Sequence, residues 1–500
     1  MMSDFPRAIL GNLIVHQKGF AFKSKDYQEV GIPVVRVSNF TDDSIDTSDL
    51  KFVSKENAQE NRKVALKTND VIIATVGSWP KNPASIVGKT ICVPSKMNGA
   101  LMNQNSVILR VKGECEIDQK YLFIALKTKL FSEYLVATAQ GSANQASVTL
   151  SDIFSYEVEW PEPAIRKSIV SMIDSVNQKI QLNRQTNQTL QHIAQAIFKS
   201  WFVDFAPTRA KIIVKQKSGN ELAQELAAQA VICGAITLHK LAELEEGLFG
   251  IEEDLHPLIT KRFPNEGGVD LWQPKQLAAI AALFPNSLVD SELGKVPEGW
   301  GVKSLSEIIE VIGGGTPKRS DESYWGADVP WFSVKDAPSH SDIFVVDTIE
   351  KISELGMQKS STKLLPVGTT IITARGTVGK LALVGTPMCM NQSCYGIRGL
   401  EGYGPYFNYF NLREAITTLQ RNTHGAVFDT ITKQTFESYS MPVAVGELVK
   451  KFEVIVTPIL EKIEINNRGV ITLSKLRDAL LPKLLSGELT TTTTEKANHV

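Results

Sequence analysis

The sequence predicts an α+β fold with two pseudo-repeated globular α/β domains, separated by two long helices that pair as an antiparallel coiled coil. Three observations lead to this prediction. Landmark segments recur in the same order 288 to 299 residues apart, strand-like runs fill each globular part, and each half passes through a proline, Pro161 or Pro442, into a heptad pattern.

The globular halves are rich in strand signals. Three pairs of segments resemble each other: residues 31–37 and 328–334, residues 71–77 and 370–376, and the identical Met-Asn-Gln triplets at 102–104 and 390–392. Their offsets are 297, 299 and 288 residues. Alternating or short apolar runs bounded by Gly, Pro and Asn are typical of β-strands joined by turns. The halves are therefore predicted to share one α/β fold.

The two predicted helices share a pattern at an offset of 283 residues, and we call its members the helix seam. Steps of three and four residues define a heptad repeat. The first seam contains Ile169, Ile173, Val176, Ile180, Asn183, Asn187, Leu190, Ala194, Ile197 and Trp201. The second contains Phe452, Val456, Ile459, Ile463, Asn466, Val470, Leu473, Arg477, Leu480 and Leu484. Apart from Arg477, each second member is apolar or repeats an Asn of the first.

Asn183 and Asn466 occupy equivalent positions of the helix seam. A buried Asn in a coiled coil costs stability and fixes the register between paired helices. One interpretation therefore places Asn183 facing or near Asn466. The other places both residues at a solvated edge of the helix pair.

The domain boundaries follow from these patterns. We expect a first globular domain at residues 1–161 and a central helical spacer at 162–205. A connector at 206–296, with a helical stretch near 221–248, precedes a second globular domain at 297–443. A C-terminal helical spacer at 444–489 and a disordered tail at 490–500 complete the prediction.

Composition indicates a cytoplasmic protein but does not point to nucleic acid. The five Cys residues contain no Cys-x-x-Cys pair, and the N-terminus has no pattern typical of a secretion signal. The net charge is −1 overall, +1 over residues 1–160 and −2 over residues 297–443. Any DNA surface must therefore come from local placement of Lys and Arg, or from basic partners.

The sequence lacks the common catalytic patterns. It has no complete phosphate-binding loop, no His-Glu-x-x-His zinc motif and no Gly-x-Ser-x-Gly nucleophile turn. No metal site is predicted. Together these absences favour a binding protein without a catalytic residue.

Polar, basic and aromatic residues on predicted loops are the candidates for contact with a ligand, and their side-chain types are those that contact nucleic acid. Lys, Ser and Thr contact phosphates, Arg grips guanine at two points, and amides read adenine. The candidates in the first half are Arg36, Ser38, Asn39, Ser78, Trp79, Lys81, Lys89, Gln104 and Asn105. Those in the second half are Thr316, Lys318, Lys335, Arg375, Thr377, Lys380 and Gln392. Each could instead belong to an ordinary solvated turn.

Several stretches resemble the specificity subunits of type I restriction-modification systems. In the second half these are Gly-Gly-Thr-Pro at 314–317, Tyr-Trp-Gly at 324–326, Val-Pro-Trp at 329–331 and Arg-Gly-Thr-Val-Gly at 375–379. The helical regions contribute residues 196–205 and 476–489, and residues 290–300 resemble the lead-in to the second domain. The resemblance spans about residues 5–489. The first half departs from it by lacking the Gly-Gly-Thr-Pro opening and the Arg-Gly of the central turn.

The resemblance implies a function and a set of partners. The globular domains would be target recognition domains that read a bipartite sequence in double-stranded DNA. Two methyltransferase subunits would use S-adenosylmethionine to methylate adenine, and restriction subunits would use ATP and Mg to translocate and cleave DNA. None of these cofactors or activities would reside in this chain.

Other interpretations remain open from the sequence. The chain could be a methylation-only or orphan specificity subunit without a nuclease partner. Its near-neutral charge also fits a coiled-coil adaptor that binds protein, and an enzyme with an unrecognised site is a third class. Salt-dependent DNA binding separates the adaptor from the others, because phosphate contacts release counterions.

Overall fold

The computed structural model describes residues 5–79, 87–142, 145–217, 219–244, 251–261, 274–338, 342–422, 430–444 and 446–489. The chain divides into two compact units, one of Met1–Ile180 with Thr472–Val500 and the other of Gln181–Ile471. Each unit holds one globular domain and segments of both long helices. Within the described ranges, no helix has the length and apolar character needed to cross a membrane.

The first globular domain is built from short strands and helices. Its strands are β1 (Arg7–Ile9), β2 (Ile14–Lys18), β3 (Ile32–Val35), β4 (Lys51–Val53), β5 (Val71–Ala74), β6 (Val76–Gly77), β7 (Thr90–Cys92), β8 (Leu101–Met102), β9 (Ser106–Val111), β10 (Gln140–Ser142), β11 (Gln145–Ser147) and β12 (Glu157–Glu159). Its helices are α1 (Leu10–Leu13), α2 (Lys55–Glu60), α3 (Glu116–Leu126), α4 (Lys129–Thr138) and α5 (Leu150–Phe154). The first long helix, α6 (Pro163–Phe202), follows.

Two sheets form the centre of this domain. β2, β9, β5 and β7 make a four-stranded sheet in that order, and β4, β3 and β8 make a second sheet. All four residues of β5 are buried, because this apolar strand lies between β9 and β7. Tyr121 of α3 and Phe131 of α4 are among the fully buried side chains of the core.

The connector contains packed helices in its described parts. These are α7 (Ala206–Gln216), α8 (Glu221–Ile232), α9 (Leu238–Glu243), α10 (Ile251–Thr260) and α11 (Pro274–Ala281), followed by the hairpin strands β13 (Leu288–Ser291) and β14 (Gly294–Pro297). The helical stretch predicted near 221–248 is divided into α8 and α9 by a turn at Gly234, whose φ of 70° favours glycine. α8 packs against α7, α10 and α11.

The second globular domain repeats the main strand pairings of the first. Its strands are β15 (Gly301–Ser304), β16 (Ile309–Gly313), β17 (Trp325–Phe332), β18 (Phe344–Val345), β19 (Glu350–Ile352), β20 (Thr370–Thr373), β21 (Leu381–Val384), β22 (Cys389–Met390), β23 (Cys394–Gly399) and β24 (Ser440–Val443). Its helices are α12 (Glu354–Gln358), α13 (Pro405–Asn422) and α14 (Lys433–Glu437), and the second long helix is α15 (Gly446–Ser486). β16, β23, β20, β21 and β18 form its main sheet, beside a sheet of β19, β17 and β22.

The two domains agree in strand register. β3 pairs with β8 through Val34 and Leu101, and β17 pairs with β22 through Trp331 and Cys389, at the offsets of 297 and 288 found in the sequence. The pairing of β2 with β9 recurs as that of β16 with β23, and the pairing of β1 with β12 recurs as that of β15 with β24. A slip of one residue would turn every side chain to the other face. The common register confirms the predicted duplication and the α+β fold.

The long helices pair antiparallel within each unit. In the second unit, Asn187 lies beside Asn467, whereas Phe198, further along α6, lies against Phe452, which is earlier in α15. In the first unit, Arg477 of α15 donates a hydrogen bond to the side chain of Asn177 at 3.2 Å. Later residues of α6 therefore contact earlier residues of α15, so the two helices run antiparallel, as predicted.

Most members of the helix seam are buried. The buried members are Ile169, Ile173, Ile180, Asn183, Asn187, Ala194, Trp201, Phe452, Val456, Ile459, Ile463, Asn466 and Leu484. The half-buried members are Val176, Leu190, Ile197, Val470, Leu473, Arg477 and Leu480. The heptad pattern therefore identifies the packed faces of α6 and α15.

The asparagines of the seam differ from the prediction in their pairing. Asn183 and Asn466 are 8% and 6% exposed, so the solvated-edge interpretation is wrong. Asn466 donates its amide hydrogen bond to Asn187 Oδ1 at 2.8 Å, and Asn187 donates to Asn467 Oδ1 at 2.9 Å. The partner of Asn466 is thus one helical turn from Asn183, because antiparallel pairing does not match equivalent positions of a repeat.

Candidate nucleic-acid interface

In the second domain, three turns meet at one end of the main sheet. Arg375 follows β20, and the backbone N–H of Ala374 donates to Ser393 O at 2.8 Å, which joins this turn to the one before β23. Thr316 then donates its hydroxyl hydrogen to Gln392 Oε1. We call Arg375, Gln392 and Thr316 the second loop cluster. The structure brings together three candidates separated by as many as 76 residues.

Close backbone packing holds this cluster in place. A Cβ on Gly314 would lie 2.0 Å from Asn391 O, so only glycine permits the loop to press against the Gln392 turn. In the Arg375 turn, Gly376 and Gly379 have φ of 79° and 86°, and the N–H of Gly379 donates to Thr373 O at 2.8 Å. Side chains on this turn therefore project from a defined backbone.

The candidates around the second loop cluster are mostly exposed. Arg375, Thr377, Lys380 and Gln392 are exposed, and Thr316 is half-buried. Lys318 and Lys335 are also exposed, on the loop after β16 and on the turn after β17. This end of the domain presents amide, hydroxyl and cationic groups, the side-chain types that contact base edges and phosphates.

The first domain has the same arrangement of turns. The N–H of Thr75 donates to Asn105 O at 2.8 Å, equivalent to the bond from Ala374 to Ser393. Gln104 and Asn105 are exposed, and Asn105 has a φ of 70°. We call Thr75, Gln104 and Asn105 the first loop cluster.

Gly19 is a position of close backbone packing that the sequence interpretation missed. Its Cβ would lie 1.9 Å from Asn103 O, as a Cβ on Gly314 would lie against Asn391 O. The first half therefore keeps one glycine of the opening loop, although it lacks the Gly-Gly-Thr-Pro motif. The offset of 295 residues between β2 and β16 is the signal that identifies Gly19.

Several first-half candidates face inward. Asn39 is 3% exposed; its side chain accepts from Arg36 N and donates to Asp49 O, both at 3.0 Å. Arg36 forms an ion pair with the Asp49 carboxylate at 3.1 Å, whereas Ser38 is exposed. In this structure Asn39 holds the loop after β3 and is not placed to contact DNA.

The remaining first-half candidates are also engaged within the domain. Ser78 is buried, and the indole N–H of Trp79 donates to Ser142 O at 2.8 Å. Lys89 donates to Phe40 O at 3.3 Å and lies 3.8 Å from the Asp42 carboxylate. Lys81 lies outside the described residues. Gln104, Asn105 and Ser38 are thus the exposed candidates among the described part of this set.

Burial raises the pKa of Tyr27, beside the first loop cluster. The nearby Arg36 guanidinium and a hydrogen bond from Asn103 act in the opposite direction. Tyr27 OH lies 3.4 Å from the Asn103 amide, which precedes Gln104. The phenol stays protonated at neutral pH and supports the Gln104 turn.

A metal centre does not emerge from the residues that the structure places. In the described ranges, no three His, Cys, Asp or Glu side chains are grouped so that they could hold a metal ion. The second loop cluster offers hydrogen bonding and charge attraction through Arg375, and the first loop cluster offers hydrogen bonding.

The chain matches one protein family over most of its length. Residues 8–192 and 297–470 match the model of the type I restriction modification DNA specificity domain. The HindI specificity subunit of a type I restriction enzyme from Haemophilus influenzae is 27% identical over 436 residues, which cover 85% of this chain and 88% of that protein. The putative MjaX specificity subunit from Methanocaldococcus jannaschii is 20% identical over 476 residues, covering 94% and 89%. A solved type I restriction-modification S subunit from M. genitalium covers 96% of both chains at 12% identity, with a TM-score of 0.48.

Proposed function

The chain belongs to the type I restriction-modification DNA specificity family, and we propose that each of its two globular domains reads one half of a bipartite DNA target. As a member of this family, the chain is a DNA sequence-specificity subunit. The observation that carries the proposal is the duplication in common register, with different side chains on equivalent turns.

The turns that form the two loop clusters have the same backbone pairing but carry different side chains. Arg375 occupies the position of Val76, since Arg375 bridges to Thr430 as Val76 pairs with Ser147. Ser393 likewise occupies the position of Asn105, and each residue accepts the equivalent backbone hydrogen bond through its carbonyl oxygen. Equivalent turns that carry different side chains are suited to two different base sequences.

We assign the chemistry to partner subunits. Two methyltransferase subunits would bind S-adenosylmethionine and methylate adenine, and restriction subunits would bind ATP and Mg. This chain would contribute no catalytic residue and would position the partners on the target. A complex without restriction subunits would methylate the same sequence.

Exposed apolar residues on the long helices support two equivalent partner sites. Leu182 and Ile193 of α6 are 54% and 37% exposed, and Ile465 and Leu476 of α15 are 62% and 48% exposed. They form two pairs at the 283-residue offset of the helix repeat, Leu182 with Ile465 and Ile193 with Leu476. We call these four residues the outer stripe. One partner subunit on each repeat would cover them.

Mapping of methylated adenines tests the proposed function. In a host that carries the chain with its methyltransferase subunit, we expect one motif of two short specific halves separated by unspecified bases. Exchanging residues 1–160 for the equivalent region of another such subunit should change one half only. A change in both halves, or no sequence-specific methylation and no salt-dependent DNA binding by the complex, would contradict the proposal and favour the protein adaptor.

A further inference from the structure

Arg319 of the second domain lies over an aromatic surface. Its guanidinium carbon lies 3.8 Å from the ring centroid of Trp325 and 5.1 Å from that of Trp331. Its two Nη atoms face the two carboxylate oxygens of Glu350, with 3.0 Å between Nη2 and Oε2. The cation–π contact and the two-point ion pair together restrain the position and rotation of the guanidinium. We call Arg319, Trp325, Trp331 and Glu350 the arginine platform.

The platform is fastened to the loop that carries Thr316. The indole N–H of Trp331 donates to Gly315 O at 3.0 Å, and that of Trp325 donates to Lys318 O at 3.3 Å. The indole rings meet edge to face, with centroids 5.1 Å apart. Since Thr316 contacts Gln392, the arginine platform is connected through one short loop to the second loop cluster.

The arginine remains accessible although it is immobilised. Its side chain is 53% exposed, whereas Trp331 is 2% exposed. A guanidinium has five N–H donors, and the contact with Glu350 uses one hydrogen on each Nη. Nε–H and the second hydrogen of Nη2 lie on one side of the guanidinium and can form a second two-point contact. Most of the entropy cost of ordering this side chain is already met before any ligand binds.

The fold does not require the platform. Trp331 pairs with Glu350 across β17 and β19, and the equivalent pair in β3 and β4 is Val34 with Lys51. The first domain forms the same two strands in the same register. It has the aliphatic Val34 in place of Trp331 and the positively charged Lys51 in place of Glu350. The platform therefore belongs to the features that distinguish the domains.

We propose that Arg319 is a specificity-determining residue that reads a guanine in the half-site of the second domain, with Glu350 and Trp325 as positioning residues. The inference rests on the proposed function, because it assumes that this domain contacts DNA. Arginine contacting guanine O6 and N7 at two points is the commonest specific contact to a base edge. The preformed guanidinium supplies that geometry.

Arg319→Lys tests the inference, because it keeps the positive charge and loses the two-point geometry. In the complex with the methyltransferase subunit, one guanine of the second half-site should become degenerate in the methylation map, and the first half-site should stay unchanged. The affinity for the intact target should fall about 10- to 100-fold. The affinity for unrelated DNA and the salt dependence should be retained.

Arg398→Ala is the matched control. Arg398 is an exposed arginine at the far end of β23 in the same domain, and its removal should leave the motif unchanged. Glu350→Gln should lower discrimination while strengthening the binding of unrelated DNA, since it removes a negative charge; a purely structural role would weaken both.

Three outcomes overturn the inference. An unchanged motif with Arg319→Lys, whatever its thermal stability, excludes base reading. Equal loss of specific and unrelated binding by Arg319→Ala, with a salt slope smaller by about one unit, identifies a phosphate contact instead. If the wild-type complex methylates no defined sequence, the proposed function fails and this inference fails with it.

Discussion

Glu453 shows how packing changes the chemistry of a single residue. It lies on α15 with its carboxylate at the N-terminus of α13, where Oε1 accepts from the N–H of Phe407 at 2.6 Å. A Cβ on Gly404 would lie 2.2 Å from the carboxyl carbon, so a larger residue there would displace the carboxylate. Burial raises the pKa of Glu453 to about 7, although the N–H groups of Phe407 and Tyr406 oppose the shift.

Glu453→Gln should make the stability of the second unit less dependent on pH. The pKa is raised from 4.5 to about 7, so the folded state holds the proton more tightly than the unfolded state. The associated stability is complete below pH 4.5 and is lost as the pH rises through about 7; the full shift corresponds to about 3 kcal/mol. The glutamine oxygen can still accept from Phe407.

Denaturant titrations of both proteins at about pH 5 and about pH 8 measure this effect. The wild type should lose more free energy of unfolding than the variant over this interval. Glu447→Gln, at an exposed position of the same helix, is the control. Equal pH dependence of wild type and Glu453→Gln would contradict the shifted pKa.

Arg375→Ala tests base reading at the second loop cluster. If Arg375 contacts a base, specific binding should weaken by about 1–3 kcal/mol more than non-specific binding. If it contacts only phosphate, both should fall together and the salt slope should shrink by about one unit. Competition binding over a series of salt concentrations separates the two. An unchanged affinity and footprint would show that this turn is merely solvated.

At the scale of elements, the polar network in the helix pair has a measurable cost. Asn187, Asn466 and Asn467 are buried and bonded to one another, and Asn187 also donates to Ile463 O at 3.4 Å. Asn187→Leu would leave the other two amides short of a partner in a buried site. We expect a loss of about 1–3 kcal/mol in the free energy of unfolding.

Equilibrium denaturation of Asn187→Leu checks this loss, and Gln188→Ala at the adjacent exposed position is its control. Removing the polar groups from all three positions together should restore much of the stability, because no unsatisfied amide would remain. A single variant as stable as the wild type would mean that the network contributes nothing.

The outer stripe predicts a defect in assembly rather than in folding. Ile465→Glu and Leu182→Glu place a charge on exposed positions, so the free energy of unfolding should change by less than about 0.5 kcal/mol. If partner subunits cover these positions, each charge should be buried on assembly and weaken binding of one methyltransferase subunit. Stoichiometry measured by native mass spectrometry, with exposed Lys462→Ala as the control, decides this. Normal assembly of both variants would place the partners elsewhere.

At the scale of the whole molecule, the long helices predict the spacing of the DNA target. α6 has 40 residues, which corresponds to about 60 Å of helix. If the helices set the distance between half-sites, inserting four residues into one helix adds about 6 Å, or one to two base pairs at about 3.4 Å each. Methylation mapping should show a longer spacer between unchanged halves. An active variant with the original spacer would disprove the idea.

The sequence by itself determined the duplication, the packed faces of the long helices and the family. These features are periodic or repeated along the chain, so they can be recognised without knowledge of the fold. The offsets of 297 and 288 residues reappear as strand register, and the heptad pattern identifies side chains that are in fact buried. Exposure of Arg375 and Gln392 also followed from their place in turns.

Only the tertiary structure decided which distant residues meet. Asn466 pairs with Asn187 because the helices are antiparallel, and Asn39 is buried with its side-chain amide bonded to the backbone carbonyl of Asp49. The contact of Arg319 with Glu350 joins residues 31 apart through a strand pairing that no local pattern records. Periodicity reports the environment of one element, whereas contacts between elements depend on how their surfaces pack together.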